Sequence, residues 1–157
     1  MRLVCDAMLA GLARWLRAAG HDTLIAASEK SDADLIETSR AEQRVLLSRD
    51  RHLIERAQGE ITAVLLIGND LDEHVRQLRA ALDLNWNFAP FTRCLIDNSV
   101  LRPANESERM SVPERSRHLP GPFTSCPSCG RVFWPGSHVK RMTQRLELWQ
   151  ARLQKLS

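Results

Sequence analysis

The stretch RLVCDAMLAGLARWLRAAGHDTLIA, residues 2–26, decides the architecture. Arg2–Cys5 reads as a short apolar strand. From Ala7 to Ala19 the apolar residues recur at helical spacing and Gly20 ends the run, which predicts an amphipathic helix. Asp22–Ala26 is a second strand candidate, so the stretch makes one strand–helix–strand unit. The alternation continues. Ser31 or Asp32 can cap a helix running to about Gln43, with Leu35 and Ile36 on its inner face. Val45–Ser48 is a third strand. Asp50 can cap a short helix through Ala57, which Gly59 stops. Ile61–Ile67 reads as a longer buried strand, and Asp70–Leu82 as a fourth helix. Strands separated by helices imply right-handed crossovers, hence an α/β domain with a mostly parallel sheet.

The pattern changes from Asn85. Residues 85–93 carry aromatics and Pro90, and residues 99–122 are polar and rich in Ser, Glu, Arg and Pro. That stretch reads as loop or hairpin held by something other than a core. Thr143–Leu156 shows helical spacing again. Three regions are therefore expected: an α/β domain over 1–85, a small module over 86–142 and a C-terminal helix over 143–157.

Charge divides at the same place. Residues 1–85 hold 11 Lys and Arg against 14 Asp and Glu, a net of −3, whereas residues 86–157 hold 11 against 5, a net of +6. An acidic half joined to a basic half suits a metal site beside a polyanion-binding surface. Arginine outnumbers lysine 19 to 3, and its fork suits phosphate, although genome composition gives the same bias. No run of 18 apolar residues is present, which excludes a membrane-spanning helix. The opening segment has the length of a signal peptide, but Asp6 and several arginines interrupt it, so a cytoplasmic protein is expected.

In parallel sheets, ligands bind beyond the carboxyl ends of the strands. Asp6 directly follows the first strand, Asp32 begins the helix after the second, Asp50 follows the third after Ser48 and Arg49, and Asp70 and Asp72 follow the fourth. Carboxylates gathered at one sheet edge repel one another unless a cation lies among them, and hard oxygen donors favour Mg²⁺ or Mn²⁺. Such a cluster serves phosphodiester cleavage. Asp32, Asp50 and Asp70 are equally plausible as plain helix caps. Asp6, a charge ending a buried strand, needs a partner. Asp22 falls at the opposite end of the sheet and Asp34 on an exposed helix face. Arg14, Arg17, Arg49 and Arg51 could hold phosphates near the acidic edge, and Ser48 could bond a carboxylate or the substrate.

The strongest local motif is CPSCG, Cys126–Gly130, a tight turn with two thiols suited to Zn²⁺. A ribbon needs a second such turn, and Cys94–Leu95–Ile96–Asp97 offers one with Asp97 in place of the second cysteine. Cys94, Asp97, Cys126 and Cys129 then make a four-coordinate set. His118 or His138 is the alternative fourth ligand, and loss of the site is a third outcome. A redox function for the pair fits less well, because the motif does not open a helix after a strand. Cys5, in an apolar run, is expected to be a buried small hydrophobe. Between Arg131 and Met142, cations including Lys140 and Arg141 interleave with Phe133 and Trp134, a pattern suited to single-stranded RNA. Trp134 is expected to pack the module onto the first domain.

The runs VCDAMLAGLARWLRAAGHDT, SDADLIETSRAEQRVLLSRDRHL and CPSCGRVFWPGSHVKRM together resemble the Mut-seven C-terminal RNase family, a branch of the PIN-like nucleases. The resemblance covers nearly the whole chain in the family's order. It implies a three-layer α/β/α PIN-like domain with a C-terminal zinc ribbon, and metal-dependent RNA cleavage. It places the acidic site on Asp6, Asp32 and Asp50, with Asp70 or Asp72 as a fourth member, and points to Arg14 and Arg17. Ser48 stands where the family usually has Thr, and Asp97 departs from the family's cysteine. The expected activity is that of an endoribonuclease using Mg²⁺ or Mn²⁺, with structural Zn²⁺, acting on RNA as a monomer or weak homodimer. A non-catalytic RNA-binding protein on the same scaffold is the alternative, and a phosphatase of small phosphoesters is a third reading that leaves the basic module unexplained.

Overall fold

The structure is a computed structural model that describes residues 1–154. β1 (Arg2–Cys5), β2 (Asp22–Ile25), β3 (Val45–Ser48) and β4 (Ala63–Leu65) form one sheet in the order β2–β1–β3–β4, with every neighbouring pair parallel. Between them run α1 (Ala10–Ala18), α2 (Asp32–Ala41) and α3 (Arg51–Ala57), and α4 (Leu71–Leu82) follows β4. Alternation along the strands sends side chains to two separate cores. Leu3, Cys5 and Leu47 meet Leu12 and Leu16 of α1 and Val75 and Leu78 of α4. Val4 and Leu46 meet Leu35 and Ile36 of α2 and Leu53 and Ala57 of α3. Both faces are covered, which is why these strands read as unbroken apolar runs. Cys5 is fully buried, as expected of a small hydrophobe, and burial pushes its thiol pKa up.

Several element boundaries differ from expectation, each for a local reason. The first helix begins as a 3-10 turn over Ala7–Leu9, capped by the Asp6 carboxylate. Ser31, not Asp32, caps α2, in a reciprocal box with Asp34. β4 is three residues long: its register on β3 covers Ala63–Leu65, and the Thr62 carbonyl and Leu66 N–H bond to β3 at its two ends, at 3.0 and 2.8 Å. Beyond it, the backbone N–H and C=O of Ile67 are held by the Gln77 amide at 2.9 and 3.0 Å, and the Ile67 side chain is exposed.

Residues 85–98 wrap around the end of α1. The N–H groups of Ala89 and Phe91 satisfy the Ala19 and Ala18 carbonyls at the helix terminus, at 3.0 and 2.8 Å. Gly20 makes this approach possible: its φ is +95°, and a Cβ there would lie 2.3 Å from the Ala89 carbonyl oxygen. The wrap then docks on the open edge of β2. Asn98 Oδ1 accepts from the Thr23 N–H at 2.9 Å, and Arg17 Nε donates to the Thr23 carbonyl at 2.9 Å. Arg17 Nη1 also donates to the carbonyls of Leu95 and Ile96, at 3.2 and 2.8 Å. Only 4% exposed, Arg17 is a structural clamp. This corrects the expectation that it holds phosphate: its donors are spent on carbonyls inside the fold.

A second, antiparallel sheet is formed by β5 (Arg102–Pro103), β6 (Thr124–Ser125) and β7 (Val132–Phe133), with the short helix α5 (Glu106–Ser111) between β5 and β6. The last helix, α6 (Ser137–Gln154), starts six residues before the expected Thr143, directly after the Pro135–Gly136 turn. Its expected end at Leu156 lies outside the described residues. α6 returns to the first core: Met142, Leu146 and Trp149 are buried beside the side chains of α1 and α4. Trp149 stands edge-on to both Trp15 and Trp86, with ring centroids 4.9 and 5.0 Å away. Its indole N–H donates to Asp72 at 2.7 Å, and Arg145 pairs with the same carboxylate at 3.2 Å. Asp72 therefore anchors α6, and this removes it from the candidates for a fourth acidic-site member. Among the described residues no helix is long and apolar enough to cross a membrane.

At the amino end of the sheet, Asp22 receives Arg44 at 2.8 Å and the Asn98 amide at 2.7 Å. Burial opposes its ionisation, but those hydrogen bonds and the Arg44 charge outweigh burial and lower its pKa from 3.8 to about 2. A carboxyl with a depressed folded-state pKa stabilises the fold fully above its unfolded value, and that contribution is lost as pH falls toward the folded value. Urea unfolding measured from pH 5 to pH 2 should therefore show Asp22→Asn less stable than the parent at pH 5, with the gap narrowing as pH drops below 3.8. A gap independent of pH would show that the carboxylate's charge is not what stabilises this corner.

Candidate functional site

β1 and β3 are the central neighbours of the parallel sheet, so their carboxyl ends deliver Asp6 and Ser48 side by side. The Asp6 carboxylate accepts from the Met8 N–H at 2.9 Å, from the Arg49 N–H at 3.3 Å and from the Ser48 hydroxyl. Ser48 is fully buried, and its Oγ accepts in turn from the Asp50 N–H at 2.9 Å. Asp6, Ser48 and Asp50 thus form one hydrogen-bonded chain at the sheet edge. One Asp50 oxygen caps α3 through the N–H groups of His52 and Leu53, at 2.9 and 3.3 Å, and the side chain is otherwise exposed.

Asp32 opens α2 on the same edge but turns to Arg56, 3.1 Å away, in an exposed ion pair. Asp70 is exposed and caps α4 through the Glu73 N–H at 2.9 Å. Ser48 therefore links the Asp6 carboxylate to the Asp50 backbone N–H, while the carboxylates of Asp50, Asp32 and Asp70 are held by their own helix starts or by Arg56. Their oxygens do not close on one point: among the described residues, the four-member cysteine group is the set of His, Cys, Asp and Glu ligand atoms lying within 4.8 Å of one another. Arg14 and Arg51 are exposed and Arg49 half-buried, and none has a side-chain partner among the described residues. The same is true of Lys140 and Arg141 on the first turns of α6.

That group is Cys94, Asp97, Cys126 and Cys129. Two turns of the same geometry build it. In one, the Gly130 N–H returns to the Cys126 carbonyl at 3.0 Å and the Cys126 N–H to the Arg131 carbonyl at 2.9 Å, with Gly130 at φ +74°. In the other, the Asn98 N–H returns to the Cys94 carbonyl at 3.0 Å and the Cys94 N–H to the Ser99 carbonyl at 2.8 Å, with Asn98 at φ +75°. Asp97 therefore occupies the place in the first turn that Cys129 holds in the second. Across the gap, Cys94 Sγ lies 3.7 Å from Cys129 Sγ, and Cys126 Sγ lies 3.2 and 3.4 Å from the Asp97 oxygens. His118 and His138 are outside the group, so Asp97 supplies the fourth donor.

Electrostatics within the group follow from its hydrogen bonds. The Ser99 N–H, followed by the thiols, holds the Asp97 carboxyl well below the usual carboxylate range. Burial raises Cys94 to about 12. Cys126 moves the other way: burial opposes ionisation, but the backbone N–H groups of Cys129 and Ser128 outweigh it. Donor chemistry fits a metal that takes both sulfur and oxygen.

Asn98 was not singled out from the sequence, although it joins both regions. The available signal was its position after C-x-x-D, matching Gly130 after C-x-x-C, because a left-handed residue favours Gly or Asn. Trp134 also departs from expectation: Phe133 packs against the first core, whereas Trp134 is not part of it.

Comparison with curated proteins and with solved structures finds no match. A family model described as the Mut7-C RNAse domain matches residues 1–146, a span that takes in both the acidic sheet edge and the four-donor cysteine group. With nearly its whole length inside that match, the chain belongs to the Mut7-C RNase domain family.

Proposed function

We propose that this chain is a metal-dependent endoribonuclease whose α/β half is a three-layer PIN-like domain and whose antiparallel half is a zinc ribbon. The observation that carries the reading is the Asp6–Ser48–Asp50 chain at the carboxyl ends of the two central strands. Membership of an RNase family supports the substrate class. Asp6, Asp50 and Asp32 offer oxygen donors only, a set suited to Mg²⁺ or Mn²⁺. A bound divalent cation supplies charge neutralisation for the phosphodiester and makes water a better nucleophile.

The protein's own groups prepare that edge. Ser48 and the N–H groups of Met8 and Arg49 fix the orientation of the Asp6 carboxylate. Arg49 and Arg51 carry unspent guanidinium groups beside it and can fork onto phosphate oxygens. Asp70 flanks the edge from the head of α4. Asp32 would leave Arg56 to join Asp6 and Asp50, since the pair is exposed and holds it weakly. Cys94, Asp97, Cys126 and Cys129 would hold Zn²⁺, which ties the two turns of a module with little core of its own. The Asp32–Arg56 pair also favours a second reading, a non-catalytic RNA-binding protein, because it holds one carboxylate away from the other two.

Cleavage of single-stranded and structured RNAs with Mn²⁺ separates the two readings. Asp6→Asn is expected to lower the cleavage rate on the order of 100-fold or more, with circular dichroism and the unfolding midpoint preserved. A mutant as fast as the parent would remove Asp6 from the site, and folded parent protein that binds RNA without cutting it would establish the second reading.

For the ribbon, elemental analysis should find one zinc per chain, and Cys126→Ser should lose it. Hydrogen exchange across residues 94–133 should accelerate on chelation. Equal protection with and without metal would mean that the four donors hold together unaided.

A further inference from the structure

A cleft of about 680 Å³ opens between α1, the first cysteine turn, the loop after α5 and the start of α6. Its floor is apolar, with Leu95, Leu119 and the indole of Trp134. Its charged lining has one sign: Arg14 from α1, Arg115 from the loop, Arg131 beside the second turn and Lys140 from α6, with no Asp or Glu. None of these four cations has an acceptor among the described residues. Elsewhere many arginines are spent, as with Arg2, Arg40, Arg44, Arg56, Arg76 and Arg102, each ion-paired with a carboxylate, although Arg49, Arg51 and Arg141 also stand unpaired among the described residues. What sets this cleft apart is that four unpartnered cations line one partly apolar hollow that holds no carboxylate.

Trp134 is placed by a glycine. A Cβ at Gly136 would lie 3.0 Å from the indole Nε1 and 3.4 Å from Cδ1, so any larger residue there would make the ring give by a few tenths of an ångström. Its neighbour Phe133 packs against the first core and lines the cleft as well, whereas Trp134 lines the cleft without joining that core. An aromatic floor under a cationic rim matches a ligand that offers a flat apolar face between phosphates. Unpaired nucleotides do so, because every base has a π-face for stacking, whereas a duplex keeps its bases inside. An acidic peptide would satisfy the rim but leave the floor uncovered.

We propose that this cleft is a single-stranded RNA subsite, taking an unpaired base against Trp134 and the flanking phosphates on Arg14, Arg115, Arg131 and Lys140. It rests on the ribonuclease reading for its substrate class but is separate from the acidic edge. Arg14 stands eight residues beyond Asp6 along the first helix, about 12 Å at 1.5 Å per residue. That spacing is short enough for one strand to reach from the cleft to the carboxylates, so the subsite would select unpaired RNA before cleavage.

The test is equilibrium binding of a labelled 12-nucleotide oligouridylate to the full chain, with zinc retained and no Mg²⁺ or Mn²⁺ added. Arg115 and Arg131 are exposed and unpaired, so Arg115→Glu/Arg131→Glu is compatible with the fold. The double variant should bind about tenfold or more weakly, and the slope of log K against log salt should fall by about 1.4, at ~0.7 per lost single-strand phosphate contact. Trp134→Ala, checked for zinc content and circular dichroism, should lose about tenfold for the single strand and little for a duplex of equal length. Unchanged affinity and salt slope in the double variant would overturn the proposal. So would displacement of the RNA by a 12-residue oligoglutamate at equal concentration, which would make the cleft an acidic-peptide site. Cleavage by a parent enzyme whose RNA affinity ignores these variants would sink the subsite and leave the nuclease reading standing. Variant-sensitive binding by a protein that cuts no RNA would do the reverse.

Discussion

The outward N–H and C=O of Thr23 lie on an open edge of the parallel sheet, where such groups are a template for unwanted strand pairing. Here they are closed by two side chains, Asn98 and Arg17, and Arg17 reaches on to the carbonyls of Leu95 and Ile96. Burying a guanidinium is unfavourable unless its donors are met, and here three carbonyls meet them. Burial lowers the Arg17 pKa, and the carboxylates of Asp97 and Asp22 oppose that shift without cancelling it. One clamp thereby blunts the sheet edge and sets the position of the first cysteine turn. The alignment of Cys94 and Asp97 with Cys126 and Cys129 depends on it.

The charge asymmetry of the sequence acquires a spatial meaning from this joint. Acidic groups gather where parallel strands end, because that is where loops and helix starts must be placed. Basic residues of the second half include two contrasting sets. Arg102 and Arg145 are tied to carboxylates and serve the fold. Arg115, Arg131 and Lys140 are not, and they gather on a hollow that α1 shares. Net charge says nothing of this division, which arises only from which carboxylates lie in reach.

The strand–helix alternation was legible because its signal is periodic and local: all four strands and all four helices of the first half appear where alternation and capping residues put them. The ends were less so. β4 is cut short by the length of its only partner, and α6 begins early because the apolar spacing through Val139, Met142, Leu146 and Trp149 extends into a segment that reads as part of the cysteine module. The four metal-type donors could be read from spacing, Asp97 included, since the turn imposes the same C-x-x-ligand interval on both halves. Arg17 could not. A basic residue on an amphipathic helix looks solvated, and the carbonyls that bury it come from about 78 residues away. Nor does spacing reveal that Asp32 faces Arg56, or that Ser48 joins Asp6 to the Asp50 backbone, because these are matters of side-chain direction at a shared edge.

The placement of α6 has a consequence for how the chain is made. The antiparallel module stands between α4 and α6 in sequence, yet both helices bury side chains in one core with β1. A growing chain that ends before Met142 has all four parallel strands but lacks Met142, Leu146 and Trp149, so the part of the first core that these three side chains cover stays open. Synthesis from the amino terminus therefore cannot finish the first half first. The module must emerge, and the helix beyond it, before the core that carries the acidic edge can close.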